Sequence, residues 1–293
     1  MPHALPDHTT GTLTSHDGTA LGYRRLGSGP AVVLTHGSLM SSHDLLLLGA
    51  ALSGEYTVYL PDLRGRGLSG AYGPDHTLEN AARDVAAVME HTGAHRIFGL
   101  SGGAVPLLRW ALDAPAGYRI ALYEPPLPLR DFSPTAWLPR YERELRRGRA
   151  ASAVVTVMRG TQDPPWTRRV PRAVLVPLMG LGLRAQARRA EGGLTLRDLL
   201  PTMGPDARVV REATDLTRAA TRVRSDVLLL GGSRSPGYLR RGLDALDAAL
   251  PYARRVEFER LGHLAADNGG RPDLVARALA DFFGPRVSRS ARS

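Results

Sequence analysis

The chain has 293 residues, of which 43% are apolar and 23% charged, a composition that fits a folded domain and excludes a disordered or fibrous chain. All 38 basic residues are arginine and the formal charge is +10, yet the arginines are spread along the chain without a nucleic-acid-binding motif, so the excess is read as a solvated face. With no cysteine, disulfides, thiol catalysis and Cys-based metal sites are excluded.

Met1 to Thr14 is polar, contains prolines and lacks an apolar h-region, so no signal peptide is expected. The first half then alternates short apolar β-rich runs with helical stretches. Strands are predicted at Ala31–Thr35, Thr57–Leu60, Arg96–Leu100 and Arg119–Tyr123. Helices are predicted at Ser42–Leu52, Leu78–Thr92 and Gly102–Asp113. The second of these has an apolar stripe through Ala82, Val85, Ala86 and Met89.

After Glu124-Pro125-Pro126 the strand rhythm stops. Only helical stretches follow, among them Ala136–Arg147, Ala151–Met158 and Pro171–Arg189. The longest apolar run, Ala173 to Leu183, is too short to cross a bilayer and contains a proline, so no membrane span and a cytoplasmic location are expected. Strands return at Asp226–Leu230 and Arg255–Glu259, with helices at Tyr238–Leu250 and Asp273–Phe283. The pattern predicts an α/β core over 1–125 and 223–284, a helical lid or cap over 126–222, and a disordered tail over 285–293. An insertion at that point lies over the C-terminal edge of a parallel sheet, where ligands bind.

Three motifs carry chemistry. Gly99-Leu100-Ser101-Gly102-Gly103 is G-x-S-x-G between an apolar strand and a helix. A serine hydroxyl is a weak nucleophile and must be exposed at a sharp turn near a base; flanking glycines leave room for that turn. Leu34-Thr35-His36-Gly37-Ser38 follows a strand, and its Ser38 N–H, with the N–H of Gly102, is the expected oxyanion hole. His36 itself is read as structural. Leu261-Gly262-His263-Leu264 follows the last strand, and His263 is the expected general base.

With these motifs the sequence resembles the α/β-hydrolase superfamily. Asp62-Leu-Arg-Gly-Arg-Gly-Leu-Ser69 adds to the likeness, being similar to the D-x-R-G-x-G-x-S turn found after that family's fourth strand. The resemblance covers about residues 10–284 apart from the lid. It implies a mostly parallel eight-stranded sheet with a helical cap after the sixth strand, and a serine esterase-like activity without cofactor or metal. Asp62 and Arg64 are read as bracing the turn.

The acid departs from the pattern. The family's usual carboxylate follows the seventh strand, where this chain reads Gly231-Gly232-Ser233-Arg234-Ser235-Pro236. Glu124, at the end of the sixth strand, is the expected substitute, as in branches that place the acid there; Asp131 is the weaker alternative. Asp267-Asn268 is read as capping the final helix region. The expected substrate is a small carboxylic ester or lactone with a partly hydrophobic group, although the lid's arginines could suit an anionic one. Acyl transfer, carbon–carbon bond hydrolysis, perhydrolysis and ligand binding without turnover are the alternatives. No nucleic-acid partner is expected, and the chain is taken as a monomer or homodimer.

Overall fold

The computed structural model describes residues 5–73, 76–189, 194–250 and 252–284. Eight strands form one sheet: β1 (Thr9–Thr14), β2 (Ala20–Leu26), β3 (Ala31–Thr35), β4 (Thr57–Pro61), β5 (Arg96–Leu100), β6 (Arg119–Tyr123), β7 (Asp226–Gly232) and β8 (Arg254–Phe258). Their order is β1-β2-β4-β3-β5-β6-β7-β8. β1, β2 and β4 pair antiparallel, and every pair from β4–β3 to β7–β8 is parallel. The expected mostly parallel eight-stranded sheet is therefore present. β1 and β2 carry no apolar run: β1 reads TTGTLT and buries only Leu13, as suits a polar edge strand.

The helices are α1 (Leu46–Leu52), α2 (Leu78–Thr92), α3 (Ala104–Ala111), α4 (Leu138–Arg146), α5 (Ala150–Thr161), α6 (Arg172–Arg189), α7 (Leu196–Leu199), α8 (Met203–Glu212), α9 (Leu216–Ala219), α10 (Gly237–Ala249) and α11 (Pro272–Phe283). Side chains alternate across each strand, so both faces of the sheet are apolar and both are covered. Val33, Ile97, Ile120, Leu122, Val227 and Leu229 pack on one face with residues of α2, α3 and α10. Val32, Leu34, Val58, Leu60, Phe98 and Leu228 pack on the other with α1 and α11. Each fully buried Leu, Val, Ile or Phe contributes roughly 1.5–3 kcal/mol, and these two layers fix where the strand ends stand.

Six helices, α4 to α9, lie between β6 and β7. They divide by packing. Leu138, Tyr141, Val154, Val157, Leu200 and Met203 form a separate apolar cluster, and Tyr141 Oη donates to the Leu200 carbonyl. Val209, Val210, Ala213, Leu216 and Ala220, by contrast, join the core beneath the sheet. The proposed cap over 126–222 is thus anchored at its C-terminal end by the same layer that covers α2 and α3. Arg66 adds a polar anchor: its buried guanidinium donates to Asp206 Oδ1 at 2.6 Å, from the loop after β4 to α8. The tail expected to be disordered from Pro285 lies outside the described residues.

Candidate active site

β5 delivers Ser101. Ile97, Phe98 and Leu100 are buried and hold the strand, and a 3-10 turn over Ser101–Gly103 leads into α3. Ser101 has φ 51°, a left-handed conformation that side chains rarely adopt, and this turn raises its hydroxyl above the strand end. A Cβ at Gly103 would stand 2.2 Å from the His36 carbonyl oxygen, so only glycine lets the loop after β3 come this close.

His263 reaches Ser101 from the connection between β8 and α11. Its Nε2 lies 2.8 Å from Ser101 Oγ and its Nδ1 2.7 Å from Glu124 Oε2. Tyr123 Oη donates to the Gly262 carbonyl at 2.9 Å and so fixes the histidine's loop. Glu124 is fully buried at the end of β6, with φ 46°. Its Oε1 accepts the Gly232 N–H at 2.7 Å, leaving Oε2 for the imidazole. With the carboxylate accepting from Nδ1–H, Nε2 keeps a lone pair that accepts the Ser101 hydroxyl proton.

The end of β7 makes room for Glu124: a Cβ at Gly231 would sit 2.8 Å from Glu124 Oε1. Gly231 leaves the space that the Glu124 side chain enters from the neighbouring strand, and Gly232 lets the Leu261 backbone approach. Asp131 is elsewhere, 71% exposed at its side chain and paired with Arg241 at 3.1 Å.

The loop after β3 lies against the nucleophile turn. A Cβ at Gly102 would meet Ser38 Oγ at 2.3 Å and Ser38 N at 3.3 Å, so the two candidate oxyanion donors share one edge of the site. His36 is fully buried; its Nδ1–H donates to the Gly37 carbonyl at 2.8 Å and its Nε2 accepts from Leu63 N–H at 3.1 Å. Burial, reinforced by the nearby Arg66 charge, holds its pKa below the ordinary value, so the ring is a neutral brace with both nitrogens engaged. Asp62, also buried, accepts from Ser42 N–H at 2.6 Å and Leu68 N–H at 2.9 Å, while Arg64 clamps Asp84 and Asp17.

One expectation is corrected. Asn268 does not cap α11: its Oδ1 accepts from Leu47 N–H at 2.9 Å and its Nδ2 donates to the His43 carbonyl at 2.8 Å. It therefore caps the first turn of α1, a partner more than two hundred residues away that local spacing cannot reveal. α11 begins at Pro272, and its N-cap residue Arg271 makes no side-chain cap hydrogen bond.

Ser101 and His263 open into a cavity of about 340 Å³ beneath the helices between β6 and β7. Leu39, Met40, Trp137, Val157, Met158 and Met203 give it an apolar wall. Asp44, Asp163 and Asp267 also line it, and among the described residues no arginine does, which removes the basis for expecting an anionic substrate from the described arginines of this segment. Asp44 and Asp267 accept backbone N–H groups of Ser41 and Gly269, whereas the Asp163 side chain has no hydrogen-bond partner among the described residues. Burial raises the Asp163 carboxyl above its ordinary value, with Glu124 adding to the effect and His263 opposing it. Neither Asp163 nor Trp137 carried a sequence signal, because the cavity is assembled from distant segments. Among the described residues no group of three His, Cys, Asp or Glu is placed to hold a metal, and no helix is long and apolar enough to cross a membrane.

The strand order, with a serine raised on a strand-to-helix turn beside a histidine, defines the α/β-hydrolase class of fold. The chain belongs to the alpha/beta hydrolase family, whose family model matches residues 32–278. It is 29% identical over 264 residues to the pimeloyl-(acyl-carrier protein) methyl ester esterase of Xanthomonas campestris pv. campestris, covering 88% of this chain and 96% of that one. A shorter stretch of 111 residues is 34% identical to a non-heme haloperoxidase of Rhodococcus erythropolis, and spans 36% of this chain and 39% of that enzyme. Among solved structures, an alpha/beta hydrolase from Sphaerobacter thermophilus DSM 20745 aligns with TM-score 0.74 and 29% identity, over 94% of this chain and 100% of that one. The enol-lactonase from Burkholderia xenovorans LB400 shares the fold with TM-score 0.69 at 22% identity, over 93% and 99%.

Proposed function

We propose that the protein is a serine hydrolase of carboxylic esters or lactones, with Ser101 as nucleophile, His263 as general base and acid, and Glu124 as the third triad member. One observation carries the proposal: the unbroken contact chain Glu124–His263–Ser101, at 2.7 and 2.8 Å, on the wall of an apolar cavity. Ser101 Oγ attacks the carbonyl carbon while His263 Nε2 takes its proton. The charge formed on the carbonyl oxygen is held by the N–H groups of Ser38 and Gly102. Collapse breaks the bond to the alcohol oxygen, which takes the proton from His263. Water then repeats the sequence on the acyl-enzyme and releases the acid.

The similarity to an esterase over 88% of the chain supports this reading. The wall of the cavity supports neutral or cationic esters of modest size over carboxylate-bearing ones, because the charges facing the cavity beside His263 are Asp44, Asp163 and Asp267. The proposal requires no metal or cofactor and places the enzyme in the cytoplasm. The shorter likeness to a non-heme haloperoxidase favours one second reading, in which hydrogen peroxide replaces water and the acyl-enzyme yields a peracid.

The test is labelling with a fluorophosphonate probe and mapping of the labelled peptide. Wild-type labelling at Ser101 that is lost in Ser101→Ala and strongly slowed in His263→Ala is expected, together with hydrolysis of short nitrophenyl esters. Folded wild-type protein that takes no label refutes the serine mechanism. Product analysis with and without peroxide separates the two acyl acceptors.

A further inference from the structure

The segment between α5 and the end of α6 presents an apolar face to solvent. In α6, Val174, Leu178 and Leu181 are 56%, 59% and 61% exposed, at the i, i+4, i+7 spacing of one helix face. The opposite face of the same helix is also apolar, with Leu175 and Leu183 buried against the neighbouring helices. A surface helix that is apolar on both sides has left one side without a partner. Trp166, half-exposed, and Met179 extend the patch into a groove that continues to Val155 and Met158 of α5. Met158 also lines the cavity of Ser101 and His263, so the groove adjoins the candidate active site.

Charge completes the pattern. Residues 164–190 contain six arginines, at 168, 169, 172, 184, 188 and 189, and no Asp or Glu. Arg172 is held by Glu144, but Arg168, Arg169 and Arg184 form no ion pair among the described residues. Arginines therefore bracket the apolar stretch in sequence at both ends of the helix. We infer that this face of α6 docks on an anionic lipid surface, its apolar side chains entering the headgroup boundary and its arginines meeting the lipid phosphates. α6 is not both long and apolar enough to span a membrane, so insertion of its exposed apolar face would leave the helix lying in the plane of the interface. A second copy of the chain is the poorer occupant, because it brings the same uncompensated arginines to the contact. The inference does not depend on which ester the site accepts.

The test is co-sedimentation of the full chain with large vesicles of phosphatidylcholine alone or mixed with phosphatidylglycerol, at low and physiological salt. Binding to the anionic vesicles is expected, weakening as salt rises. Leu178→Glu with Leu181→Glu abolishes it. The triple variant Arg168→Ser, Arg169→Ser, Arg184→Ser weakens it about a hundredfold, at roughly fivefold for each arginine beside an anionic surface. Circular dichroism and the thermal midpoint, unchanged in both variants because the replaced leucines and Arg184 are exposed, show that the fold is intact. Equal sedimentation with neutral and anionic vesicles, or none with either, overturns the inference. So does a dimer in sedimentation velocity that the Leu178, Leu181 variant disperses while vesicles capture nothing, which gives the face to a second copy instead.

Discussion

Glu124→Gln isolates the interaction on which the proposed triad depends. Glu124 divides its oxygens, Oε1 to the Gly232 N–H and Oε2 to His263 Nδ1, each at 2.7 Å. A glutamine of the same shape has one accepting end and one donating end. Gly232 can only donate, so the amide oxygen stays with it and the NH₂ group faces the imidazole. Nδ1 must then accept, which moves the ring proton to Nε2, the atom 2.8 Å from Ser101 Oγ. The ring now donates where it should accept, and a wrong tautomer of this kind lowers turnover by about 10⁴-fold. At about 1.4 kcal/mol per tenfold, that is roughly 5 kcal/mol of transition-state stabilisation. Steady-state hydrolysis of p-nitrophenyl acetate measures the loss, with the rate of fluorophosphonate labelling as a second readout. Stability separates the catalytic effect from a structural one. Glu124→Gln still satisfies Gly232 and should keep the thermal midpoint near wild type, whereas Glu124→Ala orphans that buried N–H and loses about 1–3 kcal/mol. A Glu124→Gln enzyme that loses less than about tenfold in kcat/KM, with its midpoint unchanged, refutes the tautomer argument and removes Glu124 from the triad.

Three further outcomes are expected. Ser101 holds φ at 51°, so Ser101→Gly relieves strain of about 1 kcal/mol that Ser101→Ala retains; both variants are inactive, and calorimetry should find the glycine variant melting higher. Gly102→Ala places a Cβ 2.3 Å from Ser38 Oγ, which must turn away, and 3.3 Å from Ser38 N, which must give by a few tenths of an ångström, so kcat falls toward the roughly 10²-fold cost of one oxyanion donor with little change in KM. Full activity in that variant dismisses Ser38 and Gly102 as the hole. Burial at the cavity wall lifts the Asp267 carboxyl from 3.8 to about 6, so the folded state binds more protons than the unfolded state between those values. Its contribution to stability therefore falls as pH rises through that window, and Asp267→Asn should raise the thermal midpoint at neutral pH but not below the window. A midpoint difference independent of pH contradicts the assignment.

Much of this molecule is written locally. The apolar runs Ala31–Thr35, Arg96–Leu100 and Arg119–Tyr123 are strands because period-two side chains must be buried on both faces of a parallel sheet. Ser101 stands at a left-handed turn flanked by glycines, and at Gly103 the His36 carbonyl leaves no space for a Cβ. Even the departure after β7 is legible, as a loop without a carboxylate beside Glu124 at the end of β6, and in the fold Glu124 occupies the room that Gly231 leaves. Such features depend on neighbours within a strand, a turn or an adjacent strand end. β1 escaped because an edge strand needs no apolar run, and β2, between β1 and β4, because it buries only Leu21, Gly22 and Leu26. Asn268 was assigned to the nearest helix, whereas a side-chain amide bonds whichever backbone the fold brings within 3 Å, here that of α1. The charge of the cavity was likewise decided in three dimensions. The segment between β6 and β7 holds many arginines, but a guanidinium is cheapest to solvate at the surface, so they face solvent or other carboxylates while Asp163 turns inward. Composition gives the charges a chain carries, and only the tertiary packing chooses which of them the substrate meets.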